Sequence, residues 1–158
     1  MRARREARGV RLESRVLVVA VVLSVFACAE EGGNLEGSLG EVYDLSFETV
    51  RARLYPSDLS IEYVNEHGEA VVRLTARRVP AELTDSSTFD LTEGGDITGA
   101  SGGVSIPRLR EGEMSLSAYA PEEGAHVRGS FSALFLAGEN EFDLSGGFSA
   151  TIELVPPR

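Results

Sequence analysis

The sequence predicts an all-β domain, with antiparallel meanders forming a β-sandwich or an up-and-down β-barrel of about 7–9 strands. Three features carry that expectation. From Phe47 to Ala76, and again from Met114 to Ile152, apolar and polar residues alternate with a period of two, the pattern of strands with one buried face. Turn chemistry breaks the alternation at Tyr55-Pro56-Ser57-Asp58, at Glu66-His67-Gly68-Glu69 and at Pro121-Glu122-Glu123-Gly124. Past the N-terminal segment, the one helical candidate is a turn near Pro80-Ala81-Glu82-Leu83.

The chain opens on a targeting segment. Six of its fifteen basic residues, Arg2, Arg4, Arg5, Arg8, Arg11 and Arg15, precede a run from Val16 to Phe26 in which every residue except Ser24 is apolar. That run suits a signal-peptide core and falls short of the roughly twenty residues a spanning helix needs. Arg4-Arg5 is followed by Glu6-Ala7, without the apolar continuation of a twin-arginine signal, so the Sec route is expected.

Val25-Phe26-Ala27-Cys28, which ends the run, resembles the lipobox of bacterial lipoproteins at Val25, Ala27 and Cys28. The resemblance implies a diacylglyceryl group on Cys28, cleavage after Ala27 and N-acylation of Cys28 with a fatty acid such as palmitate. The partner it implies is therefore a membrane. Ala29 in place of Asp after the cysteine, by similarity to enteric lipoproteins, implies the outer membrane of the cell envelope. Cys28 is the chain's one cysteine, so no disulfide is available and stability must come from buried apolar surface and strand pairing.

Three regions follow: a signal peptide over residues 1–27, a lipidated cysteine and tether over 28–40, and a single β-domain over 41–158. The tether is small, acidic and Gly-rich, with Glu30, Glu31, Gly32, Gly33, Glu36, Gly37 and Gly40, although Leu35 or Leu39 could begin an edge strand. Beyond residue 27 the chain holds 23 acidic and 9 basic residues, a net charge of −14. A field of that sign repels phosphate backbones and argues against a nucleic-acid partner.

A loop at Pro56-Ser57 sets Val50, Ala52 and Leu54 against Tyr63, Ile61 and Leu59. A loop at His67-Gly68 then sets Tyr63, Ile61 and Leu59 against Val72, Leu74 and Ala76, so one face stays apolar across three strands. The other face aligns Arg51, Glu62 and Arg73 and brings Asp58 beside Arg77. Between Arg77 and Gly112 the pattern weakens. Thr88 to Thr92 alternates, Val104 and Ile106 suggest a strand that Pro107 confines to an edge or bulge, and Gly94-Gly95 and Gly99 to Gly103 read as a mobile loop.

The second meander places Met114, Leu116 and Ala118 against Phe131, Gly129 and Val127. A turn centred on Glu139-Asn140 then faces Phe131 with Phe148, Gly129 with Ala150 and Val127 with Ile152, while Arg128, Ser130, Ser132, Ser145, Ser149 and Thr151 take the opposite face. The Gly-x-Phe-Ser-Ala segments at Gly129–Ala133 and Gly146–Ala150 are similar to segments of small myxobacterial lipoproteins, a likeness that carries no activity.

The chemistry is sparse. Gly99-Ala100-Ser101-Gly102-Gly103 matches Gly-x-Ser-x-Gly, but a nucleophile elbow needs a helix next and Val104-Ser105-Ile106 is strand-like. His67, with Glu66 and Glu69, lies at an exposed turn, and His126 lies at a strand start, too few imidazoles for a catalytic zinc. Asp85, Asp90, Glu93 and Asp96 are candidate calcium ligands on a flexible segment, without the spacing of an EF-hand or of the nonapeptide repeat. The Arg51-Glu62-Arg73 row reads as an anion site or, more simply, as a solvated charge ladder.

The mix of Phe131, Phe135 and Phe148 with Gly129, Ala133, Gly146 and Ala150 fits close packing or, alternatively, space for an apolar ligand as in lipocalins. The expectation is thus a non-enzymatic envelope lipoprotein without a cofactor, acting by binding or structural contact. A carrier with an interior ligand is the alternative.

Overall fold

The computed structural model describes residues 31–77 and 82–157 of the 158-residue chain. The signal peptide, Cys28, and Pro80 and Ala81 of the expected helical turn lie outside the described residues. In chain order the elements are β1 (Gly32–Glu36), a 3₁₀ turn (Ser38–Glu41), β2 (Thr49–Leu54), β3 (Leu59–Val64), β4 (Ala70–Ala76), β5 (Thr88–Asp90), α1 (Leu91–Gly94), β6 (Gly95–Thr98), β7 (Ala100–Ser101), β8 (Val104–Ser105), β9 (Arg108–Ala118), β10 (His126–Ala137) and β11 (Asn140–Leu154).

The domain is all-β, and its main sheet runs β5-β9-β10-β11-β2-β3-β4-β6, with β1 also on β11. The eight-strand path curls into a nearly closed barrel. Its two end strands, β5 and β6, are joined by the single turn of α1. Each half of the barrel is an up-and-down meander, β2-β3-β4 and β9-β10-β11. The halves meet through a parallel pair, Ile152 with Ala52 to Leu154 with Leu54. This contact departs from the all-antiparallel expectation because no hairpin joins β11 to β2, so turn geometry does not fix their relative direction.

The first meander has the expected register: Val50, Ala52 and Leu54 face Tyr63, Ile61 and Leu59, which in turn face Val72, Leu74 and Ala76. Tyr55 N–H bonds Asp58 C=O at 2.9 Å across the Pro56-Ser57 loop. At the other turn Asn65 Oδ1 accepts the N–H groups of His67 and Glu69, both at 3.0 Å, and Gly68 takes φ 80°. Asp58 does not reach Arg77. Its carboxylate takes the Ser57 hydroxyl, and Arg77 instead pairs with Asp96 at 3.3 Å.

The second meander differs in register. Met114 faces Phe131 and Leu116 faces Gly129 as expected, but a bulge between Arg128 and Gly129 sets Ala118 against Arg128. The β10–β11 loop is Gly138-Glu139, so Phe131 faces Gly146, Gly129 faces Phe148 and Val127 faces Ala150. Gly138 takes φ 67° at the first loop position, where a type II′ hairpin turn requires a left-handed residue. The shift is by two residues, which keeps every side chain on its expected face.

Two segments expected as flexible are ordered elements. In the tether, β1 pairs antiparallel with Ser145–Ser149 of β11, and Leu39 is fully buried. The domain therefore begins at least nine residues before the expected boundary at 41. The physical reason is the length of β11, whose fifteen residues leave an unpaired edge beyond its short pairing with β2. The glycines permit close approach: a Cβ on Gly33 would lie 2.4 Å from the Gly147 carbonyl. Glu31 accepts the Thr151 N–H, Asn34 the Gly147 N–H and Asp143 the Ser38 N–H.

In the centre, Gly95 opens β6, and Gly102 and Gly103, at φ 58° and 82°, turn the tight β7–β8 hairpin. The strand expected over Thr88 to Thr92 stops at Asp90, whose carboxylate caps α1 by accepting the Thr92 N–H at 2.7 Å.

Candidate functional site

An eight-stranded barrel has an interior just wide enough for side chains to fill, and this one is filled. Tyr63 projects from β3 across it and donates its hydroxyl to the Gly147 carbonyl at 2.8 Å. Its ring meets Phe47 edge to face at 5.0 Å and Phe131 at 6.1 Å. The glycines opposite the phenylalanines lie beneath their rings. A Cβ on Gly129 would fall 2.5 Å from the Phe148 ring, and one on Gly146 would fall 2.8 Å from the Phe131 ring. Each ring thus covers the glycine paired directly across from it, and Phe131, Phe135 and Phe148 are all buried.

The first polar cluster lies on the outer face of β2, β3 and β4. Glu62 is 1 % exposed and takes three guanidiniums: Arg73 Nε at 2.9 Å, Arg51 Nη2 at 3.1 Å and Arg53 Nη1 at 3.5 Å. Arg53 also reaches Glu153 of β11 at 3.4 Å. The row expected from sequence is therefore a closed cluster with its carboxylate buried beneath arginines, rather than a solvated ladder. Arg53 and Glu153 were missed because they enter from the neighbouring register position and from a strand distant in sequence. Glu62 already occupies the inner side of the guanidiniums. Arg51 Nε and the Ser60 hydroxyl are buried without a hydrogen-bond partner, a residual cost of packing the cluster.

The second is a seam where the barrel does not close. The β7–β8 hairpin closes one end, with Ile106 N–H on Gly99 C=O at 3.0 Å. Pro107 follows, which has no N–H to continue the ladder. From there β6 and the first residues of β9 separate, and no ladder joins them. β9 regains an outer partner at Glu113–Ser115, where β5 pairs with it. Leu91 of α1, fully buried, floors the gap between.

The result is a cleft of about 670 Å³ whose charged lining is Arg77, Arg108, Arg110 and Asp96. Arg110 also contacts Glu111 and Glu141 beside the cleft, and Arg77 pairs with Asp96. Among the described residues Arg108 makes no ion pair. The alternation Arg108-Leu109-Arg110 and the proline before it were visible in sequence. The approach of Arg77 was not, since it depends on β6 pairing beside β4.

A second cleft, of about 680 Å³, has the opposite character. It brings together Asp44, Glu48, Glu66, Glu69 and His67 beside the exposed Val42 and Val104. Tyr43 lines it and donates its hydroxyl to the Val71 carbonyl at 2.7 Å. Burial, then the Asp44 and Glu69 charges, pushes its phenol up to about 12.

The remaining candidates are dispersed. Ser101 sits in the β7–β8 hairpin, with no helix after it, so the Gly-x-Ser-x-Gly match is a turn. His67 lies 3.4 Å from Glu66 at an exposed loop, and His126 Nε2 bonds the Ser149 hydroxyl at 2.8 Å across β10 and β11. The calcium candidates are not gathered into a ligand set. Asp90 is occupied as a helix cap and held below the usual carboxylate range by the Thr92 hydroxyl and N–H; Asp96 is paired with Arg77; Asp85 and Glu93 are exposed. Among the described residues no three His, Cys, Asp or Glu side chains are placed to hold a metal ion. None of the described helices is long and apolar enough to cross a membrane. No protein-family model, curated protein or solved structure matches this chain.

Proposed function

We propose that this chain is a cell-envelope lipoprotein, held at the outer membrane by lipid on Cys28, whose β-domain is non-catalytic and works by binding a partner on its outer surface. The filled interior is the observation that carries the binding part of this reading. Tyr63 and the Phe131 and Phe148 rings occupy the space an interior ligand would need, so the clefts left for a partner lie on the outside. The lipobox-like Val25-Phe26-Ala27-Cys28 supports the anchor. Acyl chains add roughly 0.8 kcal/mol per buried methylene, so more than one chain on one cysteine gives firm attachment.

Two experiments test the two halves. Membrane fractionation of a Cys28→Ala variant should move the protein to the soluble fraction, and retention on the membrane would refute the anchor. Titration of the full chain with a fluorescent fatty acid, at concentrations below its micellar range, should show no saturable binding to the domain. Stoichiometric binding lost with enlarged interior side chains would replace this reading with that of an apolar-ligand carrier.

A further inference from the structure

We infer that the β6–β9 seam is a docking site for an extended acidic peptide segment, which adds to the free edge of β6 and places a carboxylate against Arg108. This rests on the reading of the domain as an outer-surface binding module and names the chemistry of its partner.

Two independent features point to it. The first is backbone polarity. Arg77 N–H bonds Gly94 C=O at 2.7 Å, so in the antiparallel β4–β6 ladder the hydrogen-bonded pairs continue at Thr75 with Asp96 and Arg73 with Thr98. Ile97, between them, turns its N–H and C=O the other way, into the cleft. Gly99, two residues on, confirms that alternation, because its carbonyl accepts Ile106 N–H on the same side. Among the described residues Ile97 thus presents a backbone donor and acceptor without a ladder partner at an edge strand, the groups an added strand uses.

The second is charge. Beyond residue 27 the chain is strongly acidic, yet three arginines line this cleft, and with Arg77 paired to Asp96 and Arg110 to Glu111 and Glu141, Arg108 is the described cation left for a partner. Arg108, without an ion pair among the described residues, stands across the cleft from β6. Its guanidinium is free to take a carboxylate in a two-pronged hydrogen bond. The acidic cleft on the same domain makes the contrast specific to the seam rather than to the surface at large. A basic peptide would be drawn to that other cleft, and an apolar one would find Arg108 and Arg110 in its path.

The test is fluorescence anisotropy with the full chain in non-ionic detergent and three labelled peptides of equal length. One alternates Glu with Thr and Val, one replaces each Glu with Lys, and one keeps the Glu residues but carries prolines that forbid strand pairing. The first should bind saturably. The proline peptide should bind at least about tenfold more weakly, and an Arg108→Glu variant of unchanged melting temperature should lower affinity for the first by about tenfold or more.

Equal binding of the acidic and proline peptides would overturn strand addition. Binding of the lysine peptide alone, indifference to Arg108→Glu, or no binding by any of the three would overturn the site. These outcomes are separate from the anchor and fatty-acid tests, which read Cys28 and the interior and not the seam.

Discussion

Replacing Phe148 with alanine tests whether the barrel interior is packed. The ring is 2 % exposed and covers Gly129 on the paired strand, where it fills the position a side chain would otherwise take. Phe→Ala in a core costs about 3–5 kcal/mol, and the loss rises with the volume left empty. Here the residue beneath the ring is glycine, which has no side chain to move into the gap. The expected cost is therefore in the upper part of that range, about 4–5 kcal/mol. At about 3–5 °C per kcal/mol for a domain of this size, the melting temperature should fall by about 12–25 °C. Urea unfolding of the full chain in detergent, followed by far-ultraviolet circular dichroism, measures the loss directly. Phe148→Leu should cost markedly less, because it refills part of the gap. A loss below about 1 kcal/mol for Phe148→Ala would mean that the ring faces open space, and the packed-barrel reasoning would fail.

Two further predictions follow from polar groups. Arg73→Ala removes the closest charged contact to buried Glu62, at 2.9 Å, and should destabilise the domain by about 1.5–3 kcal/mol. In a Glu62→Ala background the same change should cost much less, and full additivity in that double-mutant cycle would show that the pair is not coupled. At alkaline pH, burial raises Tyr43 and Tyr119 to about 12 and Tyr63 further. The fold favours the neutral phenols, so their contribution is complete below the unfolded tyrosine value of about 10 and is lost as pH rises through about 12. The melting temperature should fall across that window, and titration of Tyr43, Tyr63 and Tyr119 near 10 in the folded protein would contradict it.

Much of the fold was legible because independent signals agreed. In the first meander Pro56-Ser57 and His67-Gly68 set loops that pair Val50, Tyr63 and Val72 on one face without a conflicting choice. In the second, apolar alternation fixed the face but could not fix the register, since a shift of two residues exchanges one inward side chain for another. Gly138 decides that register, through the left-handed conformation the turn requires, and Gly129 then falls under Phe148 instead of Ala150.

The N-terminal segment read as a linker because Gly32, Gly33 and Gly37 give no strand signal. Their role is visible only against β11, where a side chain on Gly33 would strike the backbone. The seam was illegible for the same reason. Pro107 was in view, but an unpaired edge exists only relative to strands that sequence does not place beside it.

Native-state amide hydrogen exchange of the full chain in detergent tests most directly whether this is a filled barrel, open along one seam. Ile61 lies on β3, laddered on both sides and fully buried, and should exchange only by global unfolding. Ile97 is as buried in its side chain, at 2 %, but its N–H faces the cleft and should exchange orders of magnitude faster. Protection of Ile97 equal to that of Ile61 would mean that β6 and β9 are paired and the seam is closed.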